Sequence, residues 1–352
     1  MMKNKVDVIS LFSGCGGLDL GFEGGFLVSK ACIKDKSLID CEISNEVLLK
    51  KTIFNIVFCN DLMPEAKIAW KANFSKKIEY STNSITELTG RDMPKADLII
   101  GGFPCQDFSL AGKRAGFASQ RGKLYQEMSR IISEVKPKAF VAENVHGLAS
   151  IEGAIETIKS EFESNGYEVF YFPVEAQNYG VPQIRKRIFF VGLNKSKLVR
   201  KVGIGDLIPK ATHGVLPVAL KEILGTLREP DETDDIDHKS YSKAKFYGAK
   251  CQGNKAVDMN KPAPTIRAEH HGNIEFRRLN DKNKKDRRLS VREAALIQTF
   301  PSDFSFVEKN GIRVLSQSSA YRVIGNAVPP LLAYHVAKNL ENLWESIFCY
   351  DA

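Results

Sequence analysis

The sequence predicts an α/β fold, a parallel doubly wound sheet with helices on both faces, followed by a smaller and irregular lobe. Short apolar runs rich in β-branched and aromatic residues alternate with stretches of helical spacing, which is typical of such a sheet. The predicted strands are residues 6–12, 56–60, 97–103, 139–145, 168–174 and 187–193. Ligands bind at the carboxyl ends of the strands in these folds. Residues that follow the strands are therefore the candidates for a functional site.

Helical periodicity predicts helices over residues 124–135, 151–164, 289–297 and about 331–347. In the third, Ser290 is the expected N-cap, Glu293 follows at the capping-box spacing, and Pro301 lies beyond its end. Between residues 194 and 286 few periodic elements are visible. The chain therefore divides into residues 1–193, an irregular middle segment (194–286), and residues 287–352, which return to the first domain.

The composition, 43% hydrophobic and 26% charged, is typical of an ordinary globular protein. No apolar run approaches the ~20 residues of a membrane-spanning helix. The first residues lack a signal-peptide core, so we expect a cytoplasmic protein. Seven cysteines without a C-x-x-C pair favour reduced thiols over a disulfide framework or a zinc site.

The formal net charge of +8 is concentrated in one part of the chain. Residues 239–288 hold 14 Lys/Arg against 5 Asp/Glu, whereas the other 302 residues hold 36 against 37. Nucleic acid is the partner that such a cluster favours, although a solvated basic loop would have the same composition.

Glycines follow the first predicted strand in Phe12-Ser13-Gly14-Cys15-Gly16-Gly17. Such a strand-to-helix turn lets the backbone approach a ligand and directs helix N–H groups toward an anion. Asp61 ends the second strand, where an acidic residue can hold a ribose diol. A tight turn, a helix-capping Asp or a nucleotide-binding oxidoreductase would explain the same residues.

A cysteine, a carboxylate and two arginines follow three further strands. Cys105 comes after Pro104 in a polar turn rather than within an apolar run. Glu143 lies at the end of the next strand, hence at the same edge of the sheet. Arg185 and Arg187 are two residues apart in an extended segment, so their side chains point the same way.

Together these stretches resemble the DNA cytosine-5 methyltransferase family of bacterial restriction–modification systems. Phe-Ser-Gly-x-Gly-Gly, Pro-Cys-Gln, Glu-Asn-Val, Gln-x-Arg-x-Arg and Gly325-Asn326-Ala327-Val328 come in the family's order. The resemblance covers roughly residues 6–193 and 287–340 and leaves the middle segment unmatched. It implies a Rossmann-like S-adenosylmethionine-dependent methyltransferase sheet, with the middle segment as a target-recognition lobe.

The resemblance also implies a reaction. Cys105 would add as a thiolate to C6 of a flipped-out cytosine, so that C5 can accept a methyl group. Glu143, protonated, would hold N3 and the exocyclic amine. Arg185, with Arg187 beside it, would neutralise O2 of the base or a nearby phosphate. S-adenosylmethionine is the implied cofactor, and no metal is required.

The cofactor pocket implied by the family lies at the ends of the first strands. Asp61 would bind the ribose and Leu62 would pack on the adenine. The remaining residues expected in the pocket are Phe12, Ser13, Gly14, Cys15, Gly17, Ser84, Ile85, Pro104, Leu124, Asn326 and Val328. Core packing would explain Leu124 equally well.

Three features depart from the family's pattern. Ser10 stands where the family often has Asp, and Asn83-Ser84-Ile85 replaces the usual Gly-Asp-Ile. Between Gly17 and Asp61 lie 43 residues, where about 20 are expected. We interpret residues 29–55 as an inserted loop and helix.

Duplex DNA is the partner that the resemblance implies, along with a restriction endonuclease acting on the same site and a monomeric enzyme. Thr265-Ile266 resembles the family's Thr-hydrophobic pair, and the residues expected to contact DNA are Gln183, Thr265, Arg267 and His270. His270-His271 lacks a third ligand nearby, which disfavours a metal site. The alternatives are a tRNA cytosine-5 methyltransferase of the same fold, which the long basic segment disfavours, and a catalytically silent DNA-binding regulator.

If the basic residues of 239–288 contact phosphates, affinity for duplex DNA should fall steeply with salt. The log–log slope is expected to be about −0.9 per neutralised phosphate. Removing one phosphate-contacting Lys should change the slope by about one unit and leave sequence preference intact. Arg267→Ala should instead cost about 1–3 kcal/mol and relax one position of the site. Filter binding at several salt concentrations measures both, and a salt-insensitive affinity would contradict the assignment.

Overall fold

A computed structural model describes residues 5–75, 77–104, 124–243, 256–268, 277–278 and 287–348. These residues form fourteen strands and ten α-helices. The strands are β1 (Val6–Leu11), β2 (Leu27–Ser29), β3 (Ile39–Ile43), β4 (Glu46–Leu49), β5 (Phe54–Asn60), β6 (Glu79–Ser81), β7 (Leu98–Gly102), β8 (Ala139–Val145), β9 (Tyr167–Glu175), β10 (Lys186–Asn194), β11 (Arg277–Arg278), β12 (Arg287–Arg288), β13 (Glu308–Lys309) and β14 (Ile312–Arg313). The helices are α1 (Gly17–Glu23), α2 (Pro64–Asn73), α3 (Leu124–Val135), α4 (Ala154–Ser164), α5 (Ile204–Leu207), α6 (Leu220–Leu224), α7 (Ile236–Lys239), α8 (Val291–Ile297), α9 (Gln317–Asn326) and α10 (Pro330–Ile347).

Seven strands form the central sheet in the order β6-β5-β1-β7-β8-β10-β9. All six predicted strands belong to it. The prediction of a parallel sheet needs one correction, because β10 pairs antiparallel with both β8 and β9. The connection from Glu175 to Lys186 is only a short 3-10 helix and loop. An antiparallel pair can be joined this way, whereas a parallel pair needs a longer crossover.

Side chains that alternate along the strands face two separate cores. Leu98 and Ile100 of β7 face the core that includes α1 and α10, and Ile99 faces the core that includes α3 and α4. Burial on both faces explains why these strands are apolar almost throughout. The expected doubly wound arrangement is confirmed.

The inserted residues form a small sheet. The prediction of a helix within residues 29–55 was wrong. Strands β2, β4 and β3 pair antiparallel in that order, and two single-turn 3-10 helices connect β2 to β3. Val47 and Leu49 of β4 are buried and alternate with half-buried neighbours. This period of two marks a strand with one face on the core. Val28 of β2 lies in the same core.

Helices α8 and α10 confirm two sequence predictions. The Ser290 hydroxyl accepts from the Glu293 N–H at 3.1 Å, and the Glu293 carboxylate accepts from the Ser290 N–H at 2.8 Å. This is the expected capping box. Helix α10 packs against α1, where a Cβ on Gly21 would lie 2.4 Å from the Ala333 Cβ. The close contact of the two helices requires a glycine at this position.

Two acidic residues of the middle segment, Glu229 and Asp235, are paired with arginines around α8. Arg287 contacts Glu229 at 2.9 Å and Glu293 at 2.7 Å, and Arg292 contacts Asp235 at 2.7 Å. Arg287 is counted in the basic cluster, but it is buried in this ion-pair network. Part of the excess positive charge therefore stabilises the fold.

Within the described ranges, no helix is long and apolar enough to cross a membrane. The division of the chain at residues 193 and 286 stays a prediction.

Arg287→Met should destabilise the protein by about 3–5 kcal/mol, because the buried Glu293 carboxylate and the half-buried Glu229 carboxylate would lose this cation. The matched control is Lys159→Met, which removes one partner of a half-exposed pair with Glu163 on α4. That change should cost less than about 1 kcal/mol. Urea unfolding measures both, and similar losses in the two variants would contradict the role given to Arg287.

Candidate active site

The turn after β1 is hydrogen-bonded to a carboxylate at the end of β5. The Asp61 carboxylate accepts from the Gly14 N–H at 2.9 Å and from the Met63 N–H at 2.8 Å. The Tyr80 hydroxyl donates to the Gly14 carbonyl at 2.7 Å. Gly14 itself has a φ of 56°, a conformation that favours glycine. The glycine turn and Asp61 therefore lie together, as expected.

Asp61 remains accessible although it bonds two backbone amides. Its side chain is half-buried, and burial raises its pKa above the usual range. The next residue, Leu62, is 66% exposed, which is unusual for a leucine beside a buried strand. A single bound molecule could contact both side chains. Its polar part would bond the Asp61 carboxylate, and its apolar part would pack on Leu62.

The end of α9 forms the other side of this turn. The Cys15 thiol donates to the Val323 carbonyl at 3.4 Å, and a Cβ on Gly17 would lie 2.3 Å from the Val328 carbonyl oxygen. Asn326 is exposed, and its amide lies 4.0 Å from the Met63 sulfur. Residues 323–328 are thus brought against the glycine turn. Phe12 and Ser13 belong to the same turn, where Phe12 has a φ of 53°.

The remaining pocket candidates are less closely associated with the turn. The Asn83 carbonyl accepts from the Asn60 amide at 2.9 Å, which ties this loop to β5. The Ser84 hydroxyl bonds Thr86 at 2.8 Å, whereas Ile85 is buried in the core beside α3. Leu124 is half-buried against that same core. Pro104 is half-buried and is the last residue described before position 124.

A buried carboxylate beneath the turn was missed from the sequence. Asp19 of α1 accepts from the Ser10 hydroxyl at 2.5 Å and from the Trp70 indole at 2.7 Å. Ser10, a departure from the family's pattern, therefore has a partner in this chain. Burial raises the pKa of Asp19 to about 6. The available signal was an acidic residue inside the apolar run that follows the glycines.

Glu143 and Arg187 form an ion pair at the end of β8. Arg187 Nε lies 2.6 Å from Glu143 Oε1, and both side chains are largely buried. A Cβ on Gly102 would lie 3.1 Å from Glu143 Oε2, so this carboxylate faces the end of β7. The Asn144 amide donates to the Phe103 carbonyl at 3.1 Å. Burial raises the pKa of Glu143, although Arg187 and Arg185 oppose the shift. Cys105 lies outside the described residues.

Arg185 does not share the environment of Arg187. Its guanidinium is 2% exposed and donates to three backbone carbonyls: Ile266 at 2.8 Å, Gly325 at 3.1 Å and Ala327 at 2.9 Å. The expectation that both arginines act on one ligand is therefore not met by the geometry. It is Arg187 that contacts the candidate catalytic carboxylate.

The expected DNA contacts differ in exposure. Gln183 is fully buried, and its amide bonds the Ile266 N–H at 3.0 Å and the Gln298 side chain at 2.8 Å. This side chain is therefore bonded inside the protein and is not presented at the surface, where a DNA contact was expected. Thr265 is half-buried and donates to the Ile184 carbonyl at 2.6 Å. Arg267 is exposed, and His270 lies outside the described residues.

The described cysteines, Cys15, Cys32, Cys41 and Cys59, are free thiols. In the part of the chain that the structure describes, no three His, Cys, Asp or Glu side chains are grouped as metal ligands.

A mostly parallel seven-stranded sheet with one antiparallel strand, and a glycine turn facing an acidic residue, define a Rossmann-like methyltransferase. A family model described as C-5 cytosine-specific DNA methylase matches residues 6–342. The chain belongs to this family and is a DNA cytosine-5 methyltransferase of the type II restriction–modification kind.

Individual relatives agree with this assignment. The chain is 34% identical to Type II methyltransferase M.BsuRI of Bacillus subtilis, over 96% of this chain and 80% of the relative. It is 33% identical to Type II methyltransferase M.BspRI of Lysinibacillus sphaericus, over 96% and 82%. A solved structure of a putative prophage-encoded DNA modification methyltransferase from E. coli has the same fold, with a TM-score of 0.66 and 24% identity over 97% of this chain and 99% of that one.

Asp19 should make stability depend on pH. Its folded-state pKa of about 6 exceeds the unfolded value of about 3.9. Between these values the folded protein retains a proton that the unfolded chain has lost, so this group's contribution falls as pH rises from about 4 to 6. Asp19→Asn should remove that part of the slope. Chemical unfolding across this pH range measures it, and an unchanged slope in the variant would refute the assignment.

Proposed function

We propose that this enzyme transfers a methyl group from S-adenosylmethionine to C5 of a flipped-out cytosine in a specific duplex sequence. The intermediate would be a covalent bond between the Cys105 sulfur and C6 of the base. The observation that carries the proposal is the buried Glu143–Arg187 pair beside Gly102, because Cys105 follows Gly102 by three residues. A carboxyl group with a raised pKa is what cytosine recognition requires.

The residues around the glycine turn fit S-adenosylmethionine. An ionised carboxylate has about four acceptor positions, and the two backbone N–H groups on Asp61 leave capacity for a ribose diol. Leu62 offers an exposed apolar face for an adenine, and Asn326 lies exposed near Met63. Phe12, Ser13, Gly14, Cys15, Gly17 and Val328 would form the wall of the pocket. When bound, the cofactor supplies an electrophilic methyl group.

Cys105 would act as the nucleophile. C5 of cytosine reacts poorly with a methyl donor, and addition of the thiolate to C6 shifts electron density to C5. After methyl transfer, a base takes the C5 proton, and the electron pair of that bond re-forms the C5–C6 double bond and expels the thiolate. Each step forms one bond as another breaks, and the cysteine is regenerated.

Glu143 would hold the base during this addition. Burial raises its pKa, which favours the protonated form that can donate to N3 while its other oxygen accepts from the exocyclic amine. Arg187, in contact with one carboxylate oxygen, fixes the orientation of the group and is placed to meet O2 of the base. We assign this base-facing role to Arg187 and a positioning role to Arg185.

DNA recognition would fall to the middle segment. Arg267 is exposed beside the buried Ile266 and can reach a base edge, while Thr265 fixes the local backbone. His270 and the other basic residues of 239–288 would meet bases or phosphates. Since the relatives are named type II methyltransferases, we propose that a restriction endonuclease acts on the same site, and that the enzyme is a cytoplasmic monomer.

Cys105→Ala should abolish methyl transfer and leave cofactor binding intact. A duplex with 5-fluorocytosine at the target should trap the unaltered enzyme covalently, because fluorine cannot leave as a cation in the elimination step. Sequencing 5-methylcytosine in DNA from expressing cells first identifies the target site. Denaturing gel electrophoresis then measures the trapped complex.

Cys41→Ala is the matched control, because Cys41 is an exposed thiol on β3, within the inserted sheet. It should retain normal turnover and trapping. Normal turnover by Cys105→Ala, or modification of tRNA in place of duplex DNA, would overturn the proposed reaction.

A further inference from the structure

We infer that Gln183, Arg185 and Gln298 form a polar clamp through which the cofactor pocket and the middle segment stabilise one another. These three side chains are positioning residues, since all three bond backbone groups and the two glutamines also bond each other. The inference rests on the proposed cofactor site, and it assigns a function to two residues, Gln183 and Arg185, that the sequence had placed at the substrate.

The first part of the clamp joins the middle segment to the residues before β10. Ile184 N–H donates to the Ala263 carbonyl at 2.7 Å, and Ala263 N–H donates to the Pro182 carbonyl at 2.9 Å. The Gln183 side-chain oxygen accepts from the Ile266 N–H at 3.0 Å. Residues 263–266 are therefore held along the approach to β10 by backbone and side-chain bonds.

The second part joins both of these segments to the end of α9. Arg185 donates to the Ile266 carbonyl with one terminal nitrogen and to the Gly325 and Ala327 carbonyls with the other. A guanidinium is planar and rigid, so these bonds fix the distance between the two backbone segments. A buried cation costs free energy unless its donors are satisfied, which makes this arrangement sensitive to small displacements.

Gln298 completes the clamp from the C-terminus of α8. Its amide nitrogen donates to the Ile324 carbonyl at 2.7 Å and the Ala327 carbonyl at 3.2 Å. Its oxygen accepts from the Gln183 amide at 2.8 Å. Gln183 and Gln298 are both fully buried. The carbonyls of Ile324, Gly325 and Ala327 are thus bonded by the side chains of Arg185 and Gln298.

Residues 323–328 form a layer between the glycine turn and the middle segment. On one side, the Val323 carbonyl accepts from the Cys15 thiol, and the Val328 carbonyl leaves no room for a Cβ on Gly17. On the other side, a Cβ on Gly325 would lie 2.3 Å from the backbone of Arg267. A ligand that orders the turn can therefore restrain Arg267 through a single intervening layer.

Coupling of this kind is reciprocal. If bound cofactor restrains the segment that carries Arg267, bound DNA must strengthen cofactor binding by the same factor. The exposed Arg267 side chain would then be presented to DNA in a narrower range of positions when the cofactor is bound. Sequence discrimination would be greatest in the complex that is ready to transfer a methyl group.

Hydrogen–deuterium exchange, with S-adenosylhomocysteine as the probe, tests the clamp without DNA. At saturating probe, amide exchange in residues 263–268 should slow by about 5-fold or more, the lower range of typical site-to-site coupling. In Arg185→Lys, which keeps the charge and loses the planar fork, the slowing should disappear. Gln298→Met should reduce it as well, and provides a second variant without a buried charge if Arg185→Lys does not fold.

Arg292→Lys is the matched control. Arg292 is also a buried arginine that bonds a backbone carbonyl, that of Phe304, but it lies outside the clamp. Arg292→Lys should lose thermal stability and retain the slowing of exchange. If Arg185→Lys acted only by weakening the fold, the two variants would behave alike. Retention of the slowing in Arg185→Lys, or its loss in Arg292→Lys, would overturn the inference.

Calorimetry on the unaltered protein separates the two proposals. If the probe does not bind, the cofactor site and the clamp are both overturned. If the probe binds and exchange does not slow, the clamp alone is overturned.

Discussion

The backbone of residues 323–328 is the element on which the site depends, because it lies between the glycine turn and the middle segment. Three of its carbonyl groups, those of Ile324, Gly325 and Ala327, lie against buried side chains, where an unsatisfied acceptor is costly. Buried side chains of Arg185 and Gln298 satisfy them. Glycines at 17 and 325 let the backbones on either side approach it. The side chains of Arg185 and Gln298 therefore stabilise the fold, and they also fix the distance between the two regions proposed to bind cofactor and DNA.

Three carboxylates lie at the carboxyl edge of the sheet or below it, and their surroundings differ. Asp19 is enclosed and bonded by Ser10 and Trp70, so it supports the turn from beneath. Asp61 is half-buried and bonds backbone amides with both oxygens. Glu143 is paired with Arg187 beside β7. Burial raises the pKa of all three, but only the last two are placed to contact ligands in the proposed reaction.

Charge in the C-terminal half serves two purposes. Arg287 and Arg292 form ion pairs with acidic residues of the middle segment, and these pairs hold the segment against α8. Arg267 remains exposed. A count of charges along the sequence cannot separate these groups, because pairing depends on residues more than 50 positions apart. The net positive charge available to DNA is thus smaller than the composition of residues 239–288 indicates.

The sequence by itself determined six strands of the central sheet, the helices α3, α4, α8 and α10, the glycine turn and the capping box at Ser290. These features depend on periodicity and on neighbours a few residues away. It also determined the family, since five short motifs occur in the right order. Only the tertiary structure decided that β10 runs antiparallel, that residues 29–55 form a sheet, and that Arg185 and Gln183 turn inward. The partners of Arg185 lie 81 to 142 residues away. Local patterns carry no record of such contacts, because the direction of a long polar side chain is set by whichever backbone groups the fold brings beside it.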